Sequence, residues 1–291
     1  MESKRYREPK QGEKIYHYCS AEAFYNIVNN QSIRFGDIAH MNDSFEMLWA
    51  FEFFKRILVD WGKNKNISET FFQRCILDTR RMNDISNLFC ACFTSEPDQL
   101  SQWRGYADDG KGFSIGFDFT SITKSLPVKP IQVVYDNKIL LEELVEMLGK
   151  LYKEETSRNF TYSKEFRKAC YNIACEFAGY KYPFFHEEKE IRLVHKVNIK
   201  RNSDGDKFFT DDDSVVFGKK HTGQDIYFKM KANRPVAYIE YNFKSLGEKF
   251  PLVEILIGPK NPSSIEDISI YLSTLGLNGV KIDYSIGSYR D

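Results

Sequence analysis

No stretch of this chain approaches the ~18 consecutive apolar residues that a membrane-spanning helix needs. Its opening, MESKRYREPKQGEK, is too charged for a secretory leader. These two absences set the expectation of a cytoplasmic protein with no membrane partner. Excess charge of either sign is also missing, since 41 Lys and Arg stand against 41 Asp and Glu. A net charge of zero argues against a uniformly basic nucleic-acid binder and leaves only local patches. The six cysteines, Cys19, Cys75, Cys90, Cys92, Cys170 and Cys175, include no CxxC pair. A zinc site draws its ligands from such pairs, so no metal is expected and the thiols read as small apolar core groups. No repeat, low-complexity tract or Pro/Gly-rich linker divides the chain, and its glycines match neither a P-loop nor a dinucleotide-binding fingerprint.

What the chain does have is apolar bulk. Hydrophobic residues make up 42%, with 24 Phe and 17 Tyr, which is enough to expect a sizeable core in one unit of 291 residues. Strand patterns at 14–18, 32–38, 88–94 and 113–119 are interleaved with helical periodicity at 45–61, 67–82 and 97–107, where Pro97 suits a first turn. Two further helices are expected at 138–156 and 163–178, then a strand at 188–197. Two β-rich runs flanking Ala232, Asn233 and Arg234 read as a hairpin, and the chain closes with a strand, a helix at 263–275 and a last strand. Without regular βαβ alternation, the expected class is α+β: a single domain over 1–291, with a mixed, mostly antiparallel sheet flanked by helices. Residues 1–13 are expected as a charged tail and 200–222, with three consecutive aspartates, as a mobile loop.

Four places concentrate polar groups among apolar neighbours. His17 stands between Tyr16 and Tyr18 on the first strand, a position that suits a hydrogen-bonded core residue or a ligand contact. Asp43 explains itself as a helix cap, which leaves Arg34 and Glu46 for other work. Gln99, Trp103, Arg104 and Tyr106 bring aromatics, a guanidinium and an amide together on a short helix. Such a set stacks on and hydrogen-bonds a planar ligand such as a nucleobase or nicotinamide, or else its Trp simply packs in the core. The sharpest signal is at 186–192. HEEKE lacks the second histidine of a zinc-protease motif, and a period of two puts Glu188, Glu190 and Arg192 on one strand face, opposite Ile191 and Leu193. On a solvated face these make a weak ion pair; lining a cleft, the carboxylates would stabilise a developing cation and Arg192 would keep them ionised.

The blocks YHYCSAEAFYNIVNNQSIRFGDIAHMNDSFE, CFTSEPDQLSQWRGYADDGKGFSIGF, FFHEEKEIRLV, VEILIGP and DYSIGSYR, in this order, resemble the widespread bacterial family called domain of unknown function 2971. The resemblance covers nearly the whole chain and implies one domain from a bacterial or phage-related locus, but supplies no reaction. The tail reads SIGSYR where a proline is expected before Tyr-Arg. A more distant similarity, to ADP-ribosyltransferases of the His-Tyr-Glu type, supplies one. His17 on the first strand, the strand–helix–strand middle and Glu188-Lys189-Glu190 resemble that order. By this likeness His17 anchors a ribose hydroxyl of NAD and Trp103 or Tyr106 faces the nicotinamide. Glu190 holds the ribose as its C1′ becomes oxocarbenium-like, and Glu188 orients the acceptor. Tyr18 and Phe93 depart from that pattern, standing where a small residue and a strand Tyr are expected.

These readings give competing expectations. One is an NAD-consuming enzyme, transferring ADP-ribose to a protein or nucleic acid, as a defence or toxin activity would, or hydrolysing NAD. Its catalytic residues are Glu190, His17 and Glu188, and NAD is held by His17, Arg34, Trp103, Arg104, Tyr106 and Arg192. Another is a non-catalytic nucleotide or nucleic-acid sensor of a defence or stress locus, built on Arg34, Trp103, Arg104 and Arg192, with basic runs at Lys219-Lys220-His221 and Lys229-Met230-Lys231 touching phosphates. A metal-dependent nuclease using Asp43, Glu46, Glu188 and Glu190 is a third, without spacing support.

Overall fold

The computed structural model describes residues 5–41, 46–63, 65, 67–216 and 218–287. Strand β1 (Lys14–Cys19) leads into helix α1 (Ala21–Asn30), whose N-cap Ser20 accepts from the Ala23 amide, and β2 (Ser32–Asp37) follows. Helices α2 (Glu46–Lys63), α3 (Glu69–Arg80) and the single turn α4 (Met82–Ile85) precede β3 (Ser86–Thr94). Next come α5 (Leu100–Tyr106), β4 (Phe113–Asp118), α6 (Phe119–Ser125) and β5 (Lys129–Gln132). The long helices α7 (Asn137–Ser157) and α8 (Lys164–Glu176) lead to a 3-10 segment, Pro183–Glu188. The remainder is β6 (Glu190–Arg201), β7 (Lys207–Thr210), β8 (Ser214–Val216), β9 (Lys219–His221), β10 (Tyr227–Lys231), β11 (Arg234–Asn242), β12 (Leu252–Ile257), α9 (Ile265–Thr274) and β13 (Lys281–Tyr284).

The expected α+β class and mixed sheet are present. Strands run β10-β11-β2-β3-β1-β4-β12-β13, with β6 on the other edge of β3 and β5 and β7 on β6. The named strands pair antiparallel except β12 with β13. Ala232 and Asn233 both take positive φ, the backbone of the tight hairpin turn expected between β10 and β11. One core packs α1, α6 and α9 on the sheet through Phe24, Val28, Ile122, Ile268 and strand residues such as Ile115, Ile191 and Leu193. A second joins α2, α3, α7 and α8 through Phe54, Phe71, Leu144 and Phe166. No helix among the described residues is long and apolar enough to cross a membrane.

Several expectations change. The span 200–222 carries β7, hydrogen-bonded to β6, and the β8–β9 pair, because Asp211 and Asp212 find partners in His195, Asn198 and Lys200. The described part of the charged start is also held down. The Arg7 amide donates to the Pro130 carbonyl, the Gln132 amide donates to the Arg5 carbonyl, and Tyr6 bridges to Ile131, so residues 5–7 lie along the edge of β5. Helix α5 begins at Leu100, after Pro97, because Asp98 is used elsewhere: it accepts from the Trp103 indole and the Ser285 hydroxyl. Asn42, Asp43, Tyr289 and Arg290 lie outside the described residues, as does the side chain of Glu46.

Two glycines contrast in what they allow. A Cβ at Gly112 would stand 2.0 Å from the Cys19 carbonyl oxygen, a backbone atom that cannot yield without moving β1, whereas a Cβ at Gly149 on α7 meets nothing within 4 Å. Gly112→Ala should lower unfolding free energy by about 3 kcal/mol. Gly149→Ala should raise it by up to ~1 kcal/mol, as removal of a mid-helix glycine does. Chemical denaturation of both variants beside the parent checks the pair, and equal effects would mean that the Gly112 contact is relieved by local movement.

Candidate functional site

Strand β3 meets two different neighbours on one edge. Phe89 and Cys90 pair with Asp37 and Gly36 of β2, whereas Thr94 pairs with Tyr16 of β1. Because β1 and β2 separate as they leave β3, a gap opens over Ala91, Cys92 and Phe93, and a cleft of about 450 Å³ occupies it. That volume suits a small-molecule site, typically ~300–1,000 Å³. His17, Arg34, Tyr106, Glu188, Glu190 and Arg192, far apart in sequence, all line it. By strand register Cys92 faces Arg192 and Phe93 faces Ile191, so Arg192 and Glu190 lie on the sheet face opposite the main core.

His17 is fixed by the gap itself. Its Nδ1 lies 2.9 Å from the Cys92 carbonyl, a backbone acceptor that the divergence of β1 and β2 leaves without a strand partner on that side. A carbonyl can only accept, so Nδ1 carries the proton and Nε2 is the acceptor of the neutral ring. Burial lowers the imidazole pKa against the opposing pull of that hydrogen bond, and the ring tilts against Phe93 at 5.7 Å.

The late carboxylates are arranged differently from a plain strand alternation. β6 starts at Glu190; Glu188 ends the 3-10 segment, and Lys189 between them takes a left-handed conformation, φ 45. Glu190 is 5% exposed and receives Arg192 in a fork, Nε to Oε1 and Nη2 to Oε2, both at 2.9 Å. The third Arg192 nitrogen, Nη1, donates to the Ala178 carbonyl. Lys181, itself buried, donates to Glu190 at 3.3 Å and to Glu188 at 2.5 Å, and the Tyr106 hydroxyl donates to Glu188 at 2.8 Å. Burial alone would raise the Glu190 carboxyl, but the Arg192 and Lys181 cations outweigh it and hold the group at about 2. Burial, with Glu188 beside it, pushes the Tyr106 phenol up, so it remains a donor. Glu190 is thus a desolvated ion-pair partner, and replacing it with Gln would remove the carboxylate that Arg192 and Lys181 share.

The other wall is basic. Arg34 is exposed, pairs with Glu240 at 2.5 Å and lies over the Tyr238 ring; Lys229 and Lys231 of β10 join it in the lining. Burial, and for Lys229 the Arg34 charge, lower both lysine pKa values. Two of the expected ligand contacts lie elsewhere. Trp103 is 1% exposed, stands edge-on to Tyr18 and packs with Tyr16 and Leu256 in a small core; its side chain is structural. Arg104 is exposed on α5 and is not among the cleft residues. Lys219 and Lys220 belong to β9, likewise outside the lining. Lys181 was not anticipated, although a lone cation in the apolar run AGYKYPFF calls for a buried partner. For the nuclease expectation, no group of three or more His, Cys, Asp or Glu among the described residues is placed to hold a metal.

Two outcomes follow from these charges. Arg192→Met should cost about 3–5 kcal/mol of stability by leaving the buried Glu190 with only the longer Lys181 contact to offset its charge, and adding Glu190→Gln to it should recover much of the loss. Denaturant unfolding of both variants reads this, and a double variant no more stable than the single one would contradict it. The lowered His17 pKa makes its share of stability complete above the ordinary value of 6.5 and lost as pH falls through the lower folded value. An NMR titration should therefore find the His17 ring neutral at pH 6.5, and a ring half-protonated there would contradict the burial argument.

The sequence model of a family described as a protein of unknown function (DUF2971) matches residues 102–193, the stretch from α5 to β6 that holds Tyr106, Lys181, Glu188, Glu190 and Arg192. No curated protein and no solved structure matches the chain.

Proposed function

We propose that the cleft is a nucleotide site and that the protein consumes NAD, transferring its ADP-ribose to an acceptor or hydrolysing it. The observation that carries this reading is the meeting of a neutral histidine, a tyrosine, two carboxylates and a basic wall in one cavity where β1 and β2 part. Each group suits a part of the ligand. Arg34, Lys229 and Lys231 match a diphosphate, and the Nε2 acceptor of His17 matches a ribose hydroxyl. Tyr106 supplies an aromatic edge for the nicotinamide. In the reaction the C1′–N bond breaks, its electron pair leaves with nicotinamide, and the ribose carbon becomes cationic until water or the acceptor's nucleophile attacks. A fixed carboxylate lowers that barrier electrostatically.

The pairing favours Glu188 as the carboxylate that meets substrate. Both Glu190 oxygens are committed to Arg192, whereas Glu188 sits at the mouth of the network with Lys181 and Tyr106 as partners. Glu190 then acts as the strut that places Lys181 and, through it, Glu188. A second reading has its own support: both carboxylates have cationic partners, so their net field at the cleft is small, as suits a nucleotide sensor that binds without turnover.

Nicotinamide release from NAD separates the readings. Glu188→Gln should cut release by about 10²–10³-fold while ADP-ribose affinity, measured by calorimetry, changes little. ADP-ribose binding with no release, with or without added protein or nucleic-acid acceptors, would leave the sensor. Failure of NAD and ADP-ribose to bind at all would overturn the nucleotide site itself.

A further inference from the structure

Three sulfur atoms meet at the floor of the same cleft, and neither nucleotide reading uses them. Cys90 and Cys92, two apart on β3, direct their side chains to the same sheet face, and Met41 approaches from the segment after β2. Cys90 Sγ stands 3.9 Å from Cys92 Sγ and 3.2 Å from Met41 Sδ, and Cys92 Sγ stands 3.8 Å from Met41 Sδ. We propose that Cys90, Cys92 and Met41 form a three-coordinate, all-sulfur site for a soft monovalent cation, Cu(I), with Ag(I) as its redox-inert stand-in.

Geometry and donor chemistry both lead there. With metal–sulfur bonds of about 2.3 Å, a trigonal set spaces its sulfurs ~4 Å apart. Two of the three separations already match, and the third needs Met41 to withdraw by less than an ångström, an adjustment its flexible thioether allows. Two thiolates and a thioether select a soft cation; zinc prefers four ligands, and hard cations take oxygen. Met41 and Cys92 are partly exposed, and all three residues line the cleft, so an ion reaches them without unfolding. Because the thiolate is the form that binds, loading releases two protons, one from each thiol, and the metal forms two thiolate bonds and one thioether bond with no change of oxidation state. The resulting net charge of minus one faces Arg192, the cross-strand neighbour of Cys92.

The site stands apart from the nucleotide reading and is tested without it. Ag(I) titration followed by native mass spectrometry, and anaerobic competition for Cu(I) against a chromophoric chelator, should find one tight equivalent and two protons released. Cys90→Ser combined with Cys92→Ser should abolish that equivalent, whereas Cys75→Ser combined with Cys170→Ser, at the other close thiol pair, should keep it. Met41→Leu should weaken binding at least ~10-fold by removing one of three donors. It also decides the matter if the double serine variant does not fold. Affinity unchanged in Met41→Leu, retention of the equivalent in the folded serine variant, or no tight equivalent in the parent would each overturn the site.

Discussion

Four buried or half-buried charges, Lys181, Glu188, Glu190 and Arg192, hold the cleft in shape. Taking any one of them out of water costs several kcal/mol, and the cost is offset only while each keeps its partners. Their sum is zero, and they join four separate pieces of chain. Arg192 ties β6 to the carbonyl of Ala178 after α8, Lys181 ties that segment to both carboxylates, and Tyr106 ties α5 to Glu188. The backbone is drawn in as well: the Glu190 amide donates to Tyr135, and Gln132 donates to the Glu190 carbonyl. A shift of any of these pieces by an ångström would leave a charge unpaired, so the network fixes the relation between the helical lobe and the sheet.

The same economy explains why the cavity exists. A sheet edge normally zips from end to end, because every unpaired backbone group in a dry place is costly. Here β1 and β2 share one edge of β3 and pull apart, and the carbonyl exposed by their separation is satisfied by a side chain, His17. The histidine is at once a structural plug and a wall of the cavity that its own hydrogen bond makes affordable. Residues from opposite sheet faces, His17 beside Phe93 and Arg192 beside Cys92, can then border one space.

Much of the fold was legible in the chain because its periodicities are strong. The strands at 14–19, 32–37, 86–94 and 113–118 and the helices α2, α7 and α8 follow directly from apolar spacing and caps. The misreadings came from contacts between distant residues. The aspartates 211–213 do lie between strands, but the flanking parts of 200–222 form β7 and the β8–β9 pair, and Asp211 and Asp212 are held by His195, Asn198 and Lys200. Trp103 looks like a stacking platform until Tyr18 and Leu256 close around it. Glu188 and Glu190 look like neighbours on a strand, and only the left-handed turn at Lys189 shows that they belong to different elements. His17, Arg34, Tyr106 and Arg192 were identifiable as polar groups in apolar settings, whereas Lys181 needed its partners in space to be recognised.

The short strap at residues 5–7 has a consequence for how this sheet meets its surroundings. A bare outer strand offers a row of amides and carbonyls on which a second chain can assemble, and β5 would be such a strand. Its exposed ladder positions are instead taken by the Arg5 carbonyl and the Arg7 amide, while the Arg5 side chain reaches Glu143 on α7. The segment that reads as a charged tail is, at residues 5–7, a cover for the outer edge of β5. It occupies the ladder of β5 on that side, and its two arginines are paired within the molecule, with Glu143, Gln132 and Glu13.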